Sequence, residues 1–565
     1  MLARVQSYLL QGIDALPCEI EVDHALGSTA PMDNRPVIVG LPDAGVREAH
    51  ERVRSAMSNS GYRWPEGKII VNLAPADVRK EGPVYDLPIA VGILVVQGML
   101  RPRPVAAGVR PGQNAGSNTG LNTGLNTGLS TGLNTGLSTG AADHEPLDYR
   151  KICFAGELAL DGRLRPIKGS LALASMAKAR GCTAIMVPAD NAAEASVVSG
   201  IDVYGVRTLA EVVGLLTGAL EPIPMATPDV LGLLTQATAP IDFAEVRGQE
   251  AVKRAIVIAA AGGHNLLMLG PPGSGKTMMA KALPGVLPPL SPEEAVEITR
   301  IYSAAGQLAP GQGLVTTRPV RTPHHTASTP AIVGGGMVPR PGEISLSHRG
   351  VLFLDELAEF PRDVLEAMRQ PLEDHVVTIA RSHSAVRFPA NFMLIAAMNP
   401  TPKGDMPKGE FGRREMERYM ERLSGPLLDR IDLHVEAPAV PWKELSRTAS
   451  GKRGITAADS APGVGTSTRT MREQVRQARA IQTERQGVFA LNARLSGKQL
   501  DELAPLDDAS RGVLGDAMTQ LGLSARAYDK IRRISRTIAD VAGVQNVTVD
   551  HVLEAISYRL LDRKL

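Results

Sequence analysis

An apolar run beginning at Leu266 ends in Gly270-Pro271-Pro272-Gly273-Ser274-Gly275-Lys276-Thr277, and these residue types in this order suit one kind of chemistry. Glycines let consecutive backbone N–H groups turn inward around phosphates. Lys276 brings a point charge to the β and γ phosphates, and the Thr277 hydroxyl completes the coordination of Mg²⁺. A glycine-rich stretch can also be a plain tight turn. The full eight-residue pattern at a strand-to-helix junction favours a nucleoside triphosphate, ATP with Mg²⁺.

Val351-Leu-Phe-Leu-Asp355-Glu356, whose Asp355 lies 79 residues beyond Lys276, is a second candidate, an apolar strand ending in an acidic pair. A buried parallel strand would deliver Asp355 to the Mg²⁺ shell and Glu356 to a position where it polarises the attacking water. Such a pair can simply cap a helix, but the upstream loop favours catalysis. A third strand, Phe392–Met398, ends at Asn399-Pro400, where a polar side chain would lie between the two motifs and orient the water; alone, Asn before Pro is an ordinary turn. Ser424-Gly-Pro-Leu-Leu-Asp429-Arg430-Ile-Asp432 offers Arg430 as an arginine finger for a neighbouring subunit. The bland alternative is an Asp429–Arg430–Asp432 surface ion network of little worth. Arg526 opens a late helix and could reach the same phosphates from within the subunit, or be a solvated helical arginine.

Positioning these groups takes several domains, since 565 residues exceed one core. With 44% hydrophobic and 21% charged residues and a net charge of +2, the chain reads as soluble globular protein, and any basic surface must be local. Cys18, Cys153 and Cys182 have no metal-ligand spacing and fit a reducing cytoplasm. The apolar run Leu87–Leu100 is too short to span a bilayer, so no membrane is expected; no charged leader opens the chain, so no secretion signal is expected either.

Residues 1–220 alternate strand-like and helical runs: Pro36–Gly40 strand, Ala44–Ser58 helix, Ile69–Ala74 strand, Asp86–Leu100 buried helix, a hairpin over Lys151–Ile167 turning at Asp161-Gly162, then helix Leu171–Arg180 and strand Ala184–Pro188. Within them, 113–141 repeats Gly-Leu-Asn/Ser-Thr; with one apolar side chain per four residues and no charge along the repeats, it reads as a disordered surface loop. Residues 221–240 form a proline-marked linker, 241–445 the nucleotide domain, 446–469 a loose insert and 470–565 a helical lid in which Arg526, Arg532, Arg533 and Arg536 share one helix.

The order of these motifs, with Arg321-Thr-Pro-His-His-Thr-Ala-Ser, Arg340-Pro-Gly-Glu-Ile-Ser-Leu, His348-Arg-Gly-Val-Leu-Phe-Leu-Asp-Glu, Val71-Asn-Leu-Ala-Pro-Ala-Asp and SARAYDKIRRISRTIAD from Ser524, resembles the ComM/YifB group of Mg-chelatase-like AAA+ ATPases. The resemblance covers nearly the whole chain. It implies an α/β multidomain fold: an N-terminal ribosomal-S5/Lon-protease-like α+β domain, a central AAA+ P-loop α/β domain and a C-terminal helical lid. It further implies Asn399 as sensor 1, Arg430 as a finger acting in trans, Arg526 as sensor 2, Gly248-Gln249 near the adenine and a homo-oligomeric ring of six subunits.

A Lon-type Ser–Lys dyad has no counterpart. Gly82-Pro83-Val84 lacks the serine, and Leu171 falls where the lysine belongs, leaving Lys168 and Ser170 as the only neighbours able to restore protease chemistry. The front domain is therefore expected to be noncatalytic. The four-cysteine cluster common in the group is missing from Thr401–Gly412, so no zinc is expected, and Lys403, Lys408, Arg413 and Arg414 could instead form a basic loop. His324, His325, His348 and His383 lack HExxH spacing, against a metal site.

Two hairpins, Leu314–Ser347 and Val376–Ala380 with Ala385–Phe388, are candidates to touch a translocated polymer through Arg340, Arg381 and His383, or else to pack on a neighbouring subunit. Aromatic residues at 3% make base stacking a poor grip. The resemblance implies DNA as the partner, single-stranded or branched, in branch migration during recombination or natural transformation. A chelatase motor and a protein-remodelling chaperone are the alternatives.

Overall fold

The computed structural model describes residues 2–25, 36–101, 144–235, 241–336, 338–381, 384–401, 414, 416, 419, 422–423, 425–440, 466–487, 491–559 and 561. The repeats at 113–141, Ser382 and His383, residues 402–413 and most of 446–469 lie outside them, and so do the expectations placed on those stretches.

The chain divides into two compact units, Met1–Leu10 with Ala15–Pro228, and Gln11–Asp14 with Asp229–Leu565. The first is built on a seven-stranded sheet in the order Val37–Val39, Lys68–Ala74, Asp14–Ala25, Leu2–Gln11, Ile152–Phe154, Ala184–Pro188, Asp202–Val206. Its central helix, Asp86–Val96, is buried at every position. A Cβ at Gly92 would lie 2.5 Å from Val22 Cγ2, so only glycine lets the helix sit this close to the sheet. Asp86 is buried with it and accepts a two-pronged hydrogen bond from Arg52 at 2.7 and 2.9 Å. Burial, opposed by Arg52, raises its carboxyl to about 6.

Three local expectations change in this unit. The first two strands, Leu2–Gln11 and Asp14–Ala25, were not anticipated. The helix expected over Ala44–Ser58 divides at Glu48 into Ala44–Arg47 and Ala49–Asn59. Within Lys151–Ile167 only Glu157–Leu158 and Leu164–Arg165 pair as a hairpin; Ile152–Phe154 instead joins the large sheet in parallel with Ala184–Met186.

The second unit holds an all-parallel five-stranded sheet in the order Val320–Arg321, Val351–Leu354, Met393–Met398, Leu266–Leu269, Leu433–Glu436. Its three inner strands are buried end to end, as parallel strands covered on both faces must be. The register Leu269↔Met398 and Leu354↔Ala396 brings the ends of these three strands out along one sheet edge. Five helices of the C-terminal region, Thr468–Gln486, Gly497–Leu503, Asp508–Leu521, Ala525–Val541 and Val549–Ser557, follow the apolar period closely. They share one core with the nucleotide domain: Val252, Ile256, Met268, Met471, Val475, Ile531 and Ile534 belong to a single buried cluster.

The hairpin expected over Leu314–Ser347 is smaller than the spacing suggested. Val320–Arg321 becomes the sheet's edge strand, a short helix covers Thr329–Val333, and only Gly334–Gly335 and Arg340–Pro341 pair as a hairpin. The second hairpin, Val376–Arg381 with Ser384–Pro389, forms in antiparallel register. Among the described residues no helix is long and apolar enough to cross a membrane.

Candidate nucleotide site

The loop after Leu266–Leu269 is shaped by its glycines. A Cβ on Gly270 would fall 2.0 Å from the Ala437 carbonyl oxygen, so the chain beyond Leu433–Glu436 can approach only a glycine there. Gly273 and Gly275 have φ of 79° and 88°, the left-handed region that side chains disfavour. Helix Lys276–Ala282 begins directly behind them. Lys276 is buried, and its ammonium donates to the carbonyls of Gly270 (2.7 Å) and Pro271 (2.9 Å) and to Asn399 Oδ1 (3.3 Å). Burial pulls its pKa below the ordinary lysine value, against the opposite influence of Asp355 and Glu356.

Asp355 and Glu356 follow strand Val351–Leu354 on the same edge. Thr277 Oγ1 donates to Asp355 Oδ2 at 2.7 Å, and Asp355 Oδ1 accepts from the Glu356 amide at 3.0 Å. Pro272, Gly273, Ser274, Gly275, Lys276, Thr277, Asp355, Glu356 and Asn399 line a cavity of about 380 Å³. Ser274 Oγ is buried there without a hydrogen-bond partner. A lysine bonded to its own loop's carbonyls, an orphaned hydroxyl and two open glycines form a cradle with donors to spare. This fits an anionic phosphate chain, and the hard oxygens of Thr277 and Asp355 fit Mg²⁺. Gln249, with φ of 63°, reaches the same loop by donating to Ser274 O at 3.3 Å, and it also donates to Pro438 O. The pair Gly248-Gln249 thus sits at the rim of the cradle.

His325, which lacks metal-ligand spacing in the sequence, also lies at this site. His325 Nδ1 lies 3.2 Å from Glu356 Oε2. Its ring stacks on His324 at 4.2 Å and meets Phe360 edge-on at 6.5 Å. A second cavity, about 320 Å³, is lined by Thr277, Lys281, Thr322, both histidines, Asp355 and Glu356. The Thr-Pro-His-His sequence was visible, but its place beside the acidic pair depends on Val320–Arg321 pairing with Val351–Leu352, which no local pattern announces.

The arginine candidates lie elsewhere. Leu433 pairs with Leu266, the residue that begins the strand leading to the loop, so Asp429–Asp432 precede the sheet at its other edge. Four residues of strand separate the two edges by about 13 Å. Neither Arg430 nor Arg526 lines the cradle. Arg430 forms an ion pair with Glu373, and Arg526 Nη1 stands 3.4 Å from Asp429 Oδ2. The two arginines thus belong to one region, and neither lines the cradle of its own subunit. Nor do Asp429, Arg430 and Asp432 pair among themselves. Asp432 is buried against Lys530 (3.2 Å) and His264 (3.4 Å). Burial would raise its carboxyl, but Lys530 and His264 hold it well below the usual range.

Three successive carbonyls of this segment are pinned. Asn265 Nδ2 donates to Arg430 O (2.9 Å), Lys530 Nζ and Arg559 Nη1 to Ile431 O (3.1 and 2.7 Å), and Arg559 to Asp432 O (2.9 Å). Of the basic residues on helix Ala525–Val541, Arg532 pairs with Asp501 and Arg536 with Asp540, while Arg533 donates to Leu495 O. Arg526 keeps about two thirds of its side chain exposed.

In the first unit, Gly82 precedes a short 3-10 turn, Pro83–Tyr85, and Leu171 is fully buried. Ser170 Oγ is buried with no hydrogen-bond partner, whereas Lys168 is exposed and its carbonyl accepts from Tyr8. Among the described residues no three His, Cys, Asp or Glu side chains converge on a metal position.

Comparison with known families agrees with this geometry. The family model for magnesium chelatase, subunit ChlI, matches residues 242–445; its C-terminal counterpart matches 465–559, and a further model for subunit ChlI of Mg-chelatase matches 21–106 and 131–191. The competence protein ComM of Haemophilus influenzae is 40% identical over 569 residues, covering 100% of this chain and 98% of its own. The protein YifB of Salmonella typhimurium is 40% identical over 572 residues with the same coverage. The magnesium-chelatase 38 kDa subunit of Rhodobacter capsulatus is 26% identical over 213 residues, 34% of this chain and 55% of its own. The chain belongs to the ComM/YifB family of Mg-chelatase-like AAA+ proteins.

Proposed function

We propose that the protein is an ATP-hydrolysing ring motor that acts on DNA in the cytoplasm as a branch-migration helicase in recombination or natural transformation. The observation that carries the motor is the division of labour across one sheet: a phosphate cradle on one edge, Arg430 and Arg526 on the other. A subunit holding both cannot close its own site, whereas a head-to-tail ring, six subunits in this reading, brings one edge to the next.

In this mechanism the backbone of Gly273–Thr277 wraps the β and γ phosphates of ATP. Lys276 exchanges its bonds to the Gly270 and Pro271 carbonyls for phosphate oxygens. Thr277 and Asp355 would hold Mg²⁺, which would neutralise phosphate charge. Glu356 takes the proton of the attacking water, and Asn399, which also accepts from Lys276, orients that water. Arg430 of each subunit leaves Glu373 to meet charge on the neighbour's γ-phosphate, with Arg526 beside it.

DNA as the substrate rests on full-length similarity to a protein named for competence. Arg340, exposed at the Gly334–Pro341 hairpin, and the Val376–Pro389 hairpin are the contacts we assign to phosphates. The first unit, whose Ser170 has no activating base, is a docking or assembly module and not a protease. The test is ATP turnover with four-way and forked DNA, together with exchange of labelled strands. Stimulation and exchange are expected. Failure of both, with stimulation by a folded protein or by a chelatase partner complex, would replace DNA with that substrate.

A further inference from the structure

Helix Thr468–Gln486 buries Met471, Val475 and Ala478 in the core it shares with the nucleotide domain. Arg469, Arg472, Arg476 and Arg479 follow one another at spacings of three and four residues, which puts them on one stripe beside that apolar face. At about 1.5 Å of rise per residue the stripe is about 15 Å long. Its cations are poorly matched. Arg472 Nε donates to Gly285 O at 2.5 Å and Arg479 Nη2 to Ala260 O at 2.8 Å, both neutral oxygens. Arg469 is exposed and has no ion pair among the described residues. Arg476 does meet a carboxylate, Glu473 at 2.7 Å. Asp242 lies within the field of Arg472, but its Oδ1 accepts from the amides of Ala244 (2.9 Å) and Thr468 (2.8 Å).

The stripe continues beyond the helix. Pro288 O, close in sequence to Gly285, accepts from Arg318 Nε at 2.7 Å, and Arg318 Nη1 donates to Arg349 O at 2.7 Å. The Arg349 amide donates to Asn391 O at 2.6 Å, and Arg494 donates to Asn391 Oδ1. Arg318, Arg349 and His348 divide Glu294 and Glu297 among them, whereas Arg494 ends on a neutral amide oxygen. Guanidinium groups therefore outnumber carboxylates along a continuous surface. Their field reaches their neighbours: burial first, then Arg494 and Arg349, holds the His375 imidazole down at about 4, and burial with Arg318 lowers Arg479 itself.

A guanidinium bonded to a carbonyl keeps N–H donors in reserve, and its planar fork fits two oxygens of a phosphate. A row of such forks suits an anion that repeats. At about 3.4 Å of duplex per phosphate on each strand, the helix stripe spans about four phosphates. We propose that the stripe Arg469, Arg472, Arg476 and Arg479, extended by Arg318 and Arg494, is a second nucleic-acid contact that grips a phosphate backbone without regard to base sequence. It rests on the DNA reading of the protein and adds a surface that neither hairpin carries. The contact is ionic, with no covalent step.

The test uses the full-length protein and fluorescein-labelled DNA, a duplex and a single strand, titrated by anisotropy at several salt concentrations. Arg469→Ala/Arg494→Ala removes two exposed cations and leaves the bonds of Arg472 and Arg479 to their carbonyls in place. It should weaken binding about tenfold or more near physiological salt, equally for unrelated sequences, and make the slope of log K against log salt shallower by about 2, at about 0.9 per phosphate contact. Arg469→Lys/Arg494→Lys keeps both charges and should stay near wild type. Arg511→Ala removes an exposed cation of helix Asp508–Leu521 already paired with Asp508, and should leave the slope unchanged. A slope that does not change in Arg469→Ala/Arg494→Ala, or one that falls as far in Arg511→Ala, refutes the surface. A change of ring size in light scattering would make it a contact between copies, which also overturns the proposal. Wild type that binds neither DNA fails the DNA reading, whereas wild type that binds with a slope the double variant does not alter fails the second contact alone.

Discussion

The two edges of the five-stranded sheet are built in opposite ways. On the edge reached by Leu269, Leu354 and Met398, polar groups are kept partly idle: Ser274 Oγ has no partner, Lys276 bonds only uncharged oxygens, and Glu356 sits in an uncommon backbone region. On the edge that precedes Leu433 the backbone is pinned by side chains, although Arg430 Nε, His264 Nδ1 and both ring nitrogens of His434 are buried without a hydrogen-bond partner. Asn265, Lys530 and Arg559 saturate three consecutive carbonyls, and Asp432 is held by Lys530 and His264. The first edge has to rearrange around a ligand; the second has to hold still while it carries two arginines. An open cradle on one edge and a pinned backbone carrying two arginines on the other suit the proposal that the site is completed by a neighbour.

The largest effects should come from breaking the chemistry of either edge. Arg430→Ala is expected to lower ATP turnover about 10³-fold, the scale of a lost arginine finger, without changing the fold as judged by circular dichroism. Glu356→Gln should bind ATP and hydrolyse it about 10²-fold or more slowly, measurable as nucleotide retained on the protein. Breaking the rigid edge should be read in stability. Asp432→Asn leaves Lys530 without its buried countercharge and should cost about 3–5 kcal/mol by denaturant unfolding. Arg526→Ala sharpens the contrast: its pair with Asp429 is exposed, so stability should change by less than about 1 kcal/mol while turnover falls.

A further expected effect is one of pH. Burial, aided by Arg494, holds the His375 imidazole down at about 4, whereas unfolding returns it to the ordinary value of 6.5. Between those values the unfolded chain binds more protons, so the contribution of His375 is full above 6.5 and is lost as pH falls toward 4. The Glu297 carboxyl, hydrogen-bonded by His348 and Arg349, is held down at about 2; its contribution is lost below that window, as pH falls from 4.5. A falling denaturation midpoint between pH 6.5 and 4, reduced in His375→Asn, checks the first of these.

What could be read from the sequence was whatever is local in it. The phosphate loop, the acidic pair and Asn399 each end an apolar strand, so residue type and strand polarity together placed them on one edge. The lid helices were legible because their apolar period is strong. His325 was missed because its partner lies across an edge strand of two residues, too short to show any alternation. Where Arg526 lies relative to the sheet could not be read from the sequence, because spacing along the chain says nothing about which end of the sheet Lys530, four residues on, will anchor. The strands Leu2–Gln11 and Asp14–Ala25 escaped notice because charged and polar residues interrupt their apolar positions, and their pairing rather than their composition makes them strands.

One mixing experiment bears most directly on the site shared between neighbours. Lys276→Ala and Arg430→Ala are each inactive alone, and combined they should regain ATP turnover, because some junctions pair an intact cradle with an intact arginine. Turnover that stays at background at every mixing ratio, in rings shown to contain both variants, would contradict a site completed in trans.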